Sequence, residues 1–404
     1  MKLMKDIRKR EHYLNQLIRF KDTNLVKVIT GLRRCGKSSL LLLFREYLIN
    51  NGTKEVNIIY LNFELLEFDM INDYRDLYDY IKERVADEKC YLLLDEVGEV
   101  EQWEKAIRSL LIDTDVDIYI TGSNAYLLSS ELSTFLTGRC VEIKMLPLSF
   151  REYLDFNESL IGCTREEQFA GYLEFGGLPA MSSLKDDEFV RRTYLNDIYR
   201  MILHKDVVTR NKINDFSLLE RVFRFVAQNI GSPISAAKIS AYLTSSGNKT
   251  NHVTIENYLN YLENAFLIYK VGRYDIKGKQ LLKTLGKYYI VDIGIRNSLI
   301  GQRNTDFGHV LENVVFLQLL RRGYKLYIGK NNEHEIDFIA EKEQEKKYFQ
   351  VAYKLSEEII HRELRALENI KDNYEKIIIS YDNSFSKDNN GIKFVNIIDF
   401  LLEE

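Results

Sequence analysis

The residues best equipped for chemistry lie in Gly31-Leu32-Arg33-Arg34-Cys35-Gly36-Lys37-Ser38, which fits G-x-x-x-x-G-K-[ST]. In such a loop the backbone N–H groups and the N-terminus of the following helix lack internal partners and face an anion. Lys37 would reach the β- and γ-phosphates of a nucleoside triphosphate. The Ser38 hydroxyl would complete a Mg²⁺ shell, and Ser39 opens the helix. An acidic pair, Asp95-Glu96, ends the apolar run Tyr91 to Leu94. Asp95 could hold Mg²⁺ through water opposite Ser38, and Glu96 could orient or deprotonate the attacking water.

Other polar residues end comparable apolar runs. Ser123-Asn124 stands where a side chain could contact the γ-phosphate or the water, and equally where Ser and Asn cap a helix. Asn62 could couple Glu96 to a partner, although it reads first as a turn residue. Phosphoryl transfer builds charge on oxygens, which a guanidinium stabilises bidentately. Arg33, Arg34 and Arg139 are therefore candidate fingers, in cis or from a neighbouring subunit, against the ordinary role of a solvated or ion-paired arginine.

These residues need strands to hold them. Leu25 to Thr30 reads as a short buried strand, and the helix after the loop runs to about Asn50. Val56 to Phe63, Cys90 to Glu96 and Asp117 to Ser123 read as further strands, with helices over 73–85 and around 103–111. This alternation predicts an α/β fold with a parallel sheet covered by helices, the ligand lying at the carboxyl ends of its strands. All the polar residues named above, Arg139 aside, fall at those ends.

At 404 residues the chain has room for two or three domains. A formal net charge of −4 gives no global attraction to nucleic acid, so any such binding needs a local basic patch. Cys35, Cys90, Cys140 and Cys163 show no C-x-x-C pairing, which speaks against a zinc site or disulfide framework and suits a reducing compartment. The basic first ten residues lack the apolar core of a signal peptide, and no apolar run approaches the ~18 residues that span a bilayer. The expectation is a cytoplasmic protein without a membrane partner.

G-L-R-R-C-G-K-S-S, Y-L-L-L-D-E, I-T-G-S-N-A, and L-T-G-R followed by L-P-L-S-F-R-E-Y together resemble the prokaryotic AAA-type ATPases. Their usual companion is a C-terminal domain of unknown function resembling restriction endonucleases, and Phe175-Gly-Gly-Leu-Pro179 extends the likeness. The resemblance implies a P-loop ATPase core of the additional-strand type, working through Lys37, Ser38, Asp95 and Glu96 on ATP with Mg²⁺. It further implies a winged helix in the middle and a nuclease-like fold at the end. The preference for ATP over GTP rests on the resemblance alone. Expected domains are the ATPase core over 1–150, a helical lid or linker over 151–215, a winged helix-turn-helix over 216–295 and a restriction-endonuclease-like α/β domain over 296–404.

From Phe216 onward the pattern turns helical. Leu218 to Asn229, Ile234 to Leu243 and Val253 to Phe266 have helical spacing, and Leu267 to Gly272 and Lys287 to Val291 read as strands around a Lys-rich loop. Three helices and a two-stranded wing make a winged helix-turn-helix. Its third helix would offer Asn251, His252, Thr254, Asn257 and Asn260 to DNA, without the arginine usual for guanine, while Lys277, Lys279, Lys283 and Lys287 could anchor phosphates. A structural spacer or protein-contact role is the alternative.

Further on, Glu312 in a helix, Asp337 in a strand and Gln350 in the next strand occupy three positions of a PD-(D/E)XK nuclease core, which gathers them around Mg²⁺. Ala352 stands where the fourth residue, a lysine, belongs. Lys354 leaves the same face of the strand and could substitute at a displacement of roughly 7 Å. The expectation is therefore a binding fold whose cleavage chemistry is lost. For the whole chain it is Mg²⁺-dependent ATP hydrolysis coupled to repositioning of the winged-helix and nuclease-like domains, with DNA or a protein as partner and homo-oligomerisation open. A nucleotide-gated switch with little turnover and an ATP-licensed nuclease are the alternatives.

Overall fold

A computed structural model describes residues 7–86, 88–128, 138–157, 162–184, 187–301, 307–331, 334–382, 388–389 and 391–403. The chain forms two compact units, Met1–Met145 with Asn264–Phe266, and Leu146–Glu263 with Leu267–Glu404.

The first unit opens with α1 (Glu11–Arg19), β1 (Val26–Gly31) and α2 (Lys37–Asn50). It continues through β2 (Ile58–Asn62), α3 (Tyr74–Lys82), β3 (Cys90–Asp95), α4 (Trp103–Asp113), β4 (Val116–Gly122) and β5 (Cys140–Met145). The five strands lie in the order β2-β3-β4-β1-β5, and every neighbouring pair is parallel. Strand β4 is thus inserted between β1, which feeds the glycine loop, and β3, which ends at Asp95. Strands β1 and β3 are buried along their whole length, as the apolar runs required. Val28, Leu92, Leu94, Ile118 and Ile120 pack with Leu77, Ile81 and Ile107 in one core cluster. Local signals set the helix ends: Asp73 and Asp76 form a capping box that starts α3.

The second unit begins with α5 (Phe150–Phe156), α6 (Arg165–Phe175), α7 (Glu188–Ile202), α8 (Phe216–Gln228), β6 (Pro233–Ile234), α9 (Ala236–Ser245) and α10 (His252–Asn264). Then come β7 (Ile268–Asp275), β8 (Gln280–Ile290), α11 (Ile293–Ile300), α12 (Phe307–Arg321), β9 (Lys325–Asn331), β10 (His334–Lys342) and β11 (Glu345–Ala352). The unit closes with α13 (Glu357–Glu368), β12 (Glu375–Ser380), β13 (Asp388–Asn389), β14 (Ile392–Asn396) and α14 (Ile397–Leu402).

The three helices and the hairpin expected after residue 215 are present, but the hairpin is not free-standing. Strand β7 pairs in parallel with β9, so one nine-stranded sheet in the order β13-β14-β12-β11-β10-β9-β7-β8-β6 runs through both the hairpin and the C-terminal strands. The Lys-rich loop expected over 277–287 is mostly strand, because β8 already begins at Gln280 and pairs with β7.

The Phe175-Gly-Gly-Leu-Pro179 motif has a structural explanation. Gly176 ends α6 at φ 76°, and a Cβ there would lie 2.2 Å from the Oδ1 of Asp292. The Gly177 N–H donates to Asp292 at 2.7 Å, and Asp292 also caps α11 by accepting the Ile295 N–H at 3.0 Å. Asn297 donates to the Leu173 carbonyl at 2.8 Å, so the motif and α11 are fastened at two points. Burial pushes the Asp292 carboxyl up to about 6, against the three N–H groups that favour its charged form.

Candidate functional site

The glycine loop spans the gap between β1 and α2. Gly31 has φ 148°, and a Cβ on it would lie 2.1 Å from the Met145 carbonyl oxygen, so only glycine fits that approach. Gly36, at φ 104°, precedes Lys37 without a side chain to cap α2, leaving the first turn open toward an anion. Between them, Leu32 and Cys35 are fully buried, and burial pushes the Cys35 thiol up. Arg34 is exposed at φ 68°, and Ser39 is half-buried in α2. Arg10, which sequence reasoning passed over, donates to the Cys35 carbonyl at 3.1 Å and lies over the Tyr13 ring, bracing the loop from below.

The expected partners meet at this loop. Ser38 lies beside Asp95, which accepts from the Thr121 hydroxyl and from Tyr60 at 3.2 Å. Burial raises the Asp95 pKa, while Thr121 and Ser38 oppose that rise. Lys37 donates to the carbonyls of Gly31 and Leu32 at 3.1 and 3.3 Å and faces Glu96 Oε1 at 3.4 Å. Glu96 is 9% exposed and adopts a left-handed backbone at φ 53°, a conformation that non-glycine residues rarely hold without support. That support comes from Thr121, next to last in β4, and from Ser123 just beyond it: the Glu96 N–H donates to the Thr121 hydroxyl at 2.9 Å, and the Ser123 N–H donates to Glu96 Oε2 at 3.2 Å.

Thr121 was missed although its position is legible. Strand β4 lies beside β3 with Leu94 level with Ile120, so the next residues, Asp95 and Thr121, are neighbours on the same face of the sheet. Asn124 serves as a cap, since its Oδ1 accepts the Tyr126 N–H at 2.9 Å, but its Nδ2 is buried with no partner among the described residues. Asn62 stands beside Asp95 in register and accepts the Glu64 N–H at 3.0 Å, the turn role read for it.

The three arginines separate. Arg33 is buried beside the site, donating to Glu64 at 2.7 Å and to the Ser123 hydroxyl at 3.4 Å. Arg139 is exposed at the start of β5, where its carbonyl accepts the Val26 N–H at 2.8 Å. Because β5 and β1 are parallel, Arg139 lies at the amino end of the sheet, about 20 Å along the strands from Gly31. A finger role in cis is closed to it. Thr137, which leads into Arg139, falls outside the described residues.

A second cluster forms in the other unit, in a cavity of about 520 Å³ lined by Lys287, Glu312, Glu335, Asp337, Gln350 and Glu363 among others. Glu312, Asp337 and Gln350 come together as expected. Gln350 accepts the Asp337 N–H at 2.6 Å and donates to Glu363, and Asp337 Oδ2 accepts the Val351 N–H at 2.9 Å. Lys354 does not join them: β11 ends at Ala352, and Lys354 is exposed beyond it, against the Tyr353 ring. Ala352 itself is buried in an apolar cluster with Tyr348, Leu364 and Leu367, surroundings unsuited to an ammonium.

Lys287 must be reassigned. Expected to hold phosphate on an exposed wing, it is 2% exposed, and its Nζ lies 2.8 Å from both Glu312 and Glu335 and 3.7 Å from Asp337. Burial alone would lower its pKa, but the carboxylates of Glu312, Asp337 and Glu335 raise it overall. Burial, with Glu312 nearby, pushes the Asp337 carboxyl up to about 8. Lys277 and Lys279 remain exposed at the β7–β8 turn, and nothing is described of the Lys283 side chain. Asn251, just before α10, and His252, Asn257 and Asn260 on it are exposed, whereas Thr254 is half-buried and its N–H is capped by Asn251 at 2.9 Å. No helix among the described residues is long and apolar enough to cross a membrane.

Comparison with known proteins agrees with the first unit. Residues 23–154 match the family described as an AAA domain, and residues 166–306 and 307–400 match two families each described as a domain of unknown function. The sequence is 43% identical over 401 residues to an uncharacterized protein of Haemophilus influenzae, covering 98% of each chain. It is 32% identical over 406 residues to an uncharacterized protein of Methanocaldococcus jannaschii, covering 95% of this chain and 88% of that one. Among solved structures it resembles the Walker-type ATPase of Pyrococcus abyssi at a TM-score of 0.51 and 16% identity, over 72% of this chain and 95% of that one, a likeness of fold.

Proposed function

This chain belongs to the same family as those two relatives and carries an AAA domain, and we propose that it is a Mg²⁺-dependent ATPase. The observation that carries this reading is the meeting of Ser38, Asp95, Lys37 and Glu96 at the mouth of one glycine loop. The donor set suits a hard divalent cation, since Ser38 and Asp95 offer oxygen atoms side by side. Bound with the nucleotide, Mg²⁺ would neutralise charge on the phosphates.

The chain's own groups divide the remaining work. Lys37 exchanges its carbonyl partners for phosphate oxygens, which frees Glu96 to orient and deprotonate water. The Asn124 amide is a donor for the γ-phosphate, and Arg33 a cis guanidinium for the charge that develops there. Lys37→Ala removes the phosphate contact and should abolish nucleotide retention on a filter or by calorimetry. ATP turnover that survives this change unaltered would sink the reading.

In the second unit, we read α8, α9 and α10 with the β7–β8 hairpin as a winged helix, and α12 with β9 to β11 as a nuclease-like fold. Their repositioning is coupled to nucleotide state. DNA is the proposed partner, met by the exposed Asn257 and Asn260 and anchored by Lys277 and Lys279. Lys277→Glu and Lys279→Glu should each weaken duplex binding and lower the slope of log K against log salt by about 1. An unchanged slope in a fluorescence-anisotropy titration would remove the hairpin turn from the interface.

A further inference from the structure

We propose that the Lys287 ammonium is a built-in cation that takes the place of a divalent metal among the carboxylates of the C-terminal cavity. The starting point is a disagreement. Glu312, Asp337 and Gln350 converge from α12, β10 and β11, the arrangement that a metal-dependent nuclease would use. Yet no group of three or more His, Cys, Asp or Glu among the described residues is placed to hold a metal ion.

The geometry explains why. Lys287 enters from β8, an element outside the helix and strands that carry the carboxylates, and its Nζ lies 2.8 Å from Glu312 and 2.8 Å from Glu335. Asp337 Oδ1 lies 3.7 Å from the same ammonium. A Mg²⁺ ion needs oxygens at about 2.0–2.1 Å. An ion bridging Glu312 and Asp337 would therefore sit within a few ångström of a like charge that is 2% exposed and screened by little water. The ammonium cannot readily withdraw, because it is buried and two of its partners, Glu312 and Asp337, are held by other groups. Glu312 also accepts the Tyr289 hydroxyl at 2.6 Å and faces His309 Nδ1 at 3.5 Å. Asp337 is tied to the Val351 N–H, and Glu363 pairs with Arg362 at 2.6 Å and with Gln350.

Two further features fit this substitution. Gly231 has φ 69°, and a Cβ there would lie 2.8 Å from His309 Nδ1 and 2.9 Å from Glu312 Oε2, so backbone closes over the helix carboxylate. Ala352 removes the lysine that a nuclease would place on β11, and its site is apolar. The cation has moved from a position beside the metal to the position of the metal.

Mn²⁺ binding to the nucleotide-free full-length protein, followed by electron paramagnetic resonance, tests this. Wild-type protein and Asp337→Asn should bind Mn²⁺ indistinguishably. Lys287→Met should gain a site at least about tenfold tighter, a lower bound for removing one like charge a few ångström from the ion. Lys287→Met/Asp337→Asn should lose it again, with circular dichroism and a thermal melt reporting that each variant is folded. A wild-type Mn²⁺ site that Asp337→Asn abolishes would overturn the proposal, and so would a folded Lys287→Met that gains none. If Lys287→Met does not fold, the comparison of wild type with Asp337→Asn still decides.

Discussion

Thr121 touches both halves of the acidic pair, donating its hydroxyl to Asp95 and accepting the backbone N–H of Glu96. A valine of the same shape would leave the strand intact but release both bonds. Thr121→Val should therefore lower kcat about 10- to 100-fold, as expected when a reacting group is misplaced by an ångström or less, with ATP affinity held by Lys37 and the loop. Steady-state kinetics check this, and a wild-type kcat would show that Glu96 is positioned by something else. At this scale the sequence displayed the chemistry itself, because phosphate, Mg²⁺ and water demand particular residue types at particular strand ends. It did not display the groups that hold those residues: Thr121, Arg10 and Glu64 act through bonds between positions far apart in the chain.

Among the elements, two close approaches carry predictions. Gly31 joins β1 to the loop against the Met145 carbonyl, so Gly31→Ala should destabilise the first unit by about 1–3 kcal/mol, seen as a shifted urea midpoint. An unshifted midpoint would mean that β5 can move aside. Asp292 links the end of α6 to the start of α11, and its carboxyl pKa is raised from 3.8 to about 6. A raised folded-state value means that the folded form holds the proton more tightly. Its contribution is therefore complete below about pH 4 and is lost as pH rises through 6, about 3 kcal/mol in all. Asp292→Asn has no such titration, so its melting temperature should gain on wild type between pH 4 and 7; parallel curves would contradict the shift.

The strands and helices themselves were legible because period-2 and period-3.6 patterns are local. The pairing of β7 with β9 was not, since nothing in either strand's pattern names a neighbour more than fifty residues away. The Lys-rich segment is strand because β8 begins at Gln280 and pairs with β7, and Lys287 on it is buried.

Across the whole molecule, one unit gathers Lys37, Ser38, Asp95 and Glu96 at a glycine loop and the other sets Lys287 among the carboxyl groups of Glu312, Glu335 and Asp337. The first was readable because a glycine loop and an acidic strand end are contiguous motifs. The second was half readable: Glu312, Asp337 and Gln350 stood out, while the cation came from a segment read as a nucleic-acid wing. The most direct test of ATP turnover at the glycine loop is the steady-state rate of Glu96→Gln, measured beside its ATP affinity. The amide keeps the side chain's size but cannot take a proton from water, so kcat should fall at least about 100-fold while ATP still binds. A Glu96→Gln protein that turns over ATP at the wild-type rate would contradict the assignment.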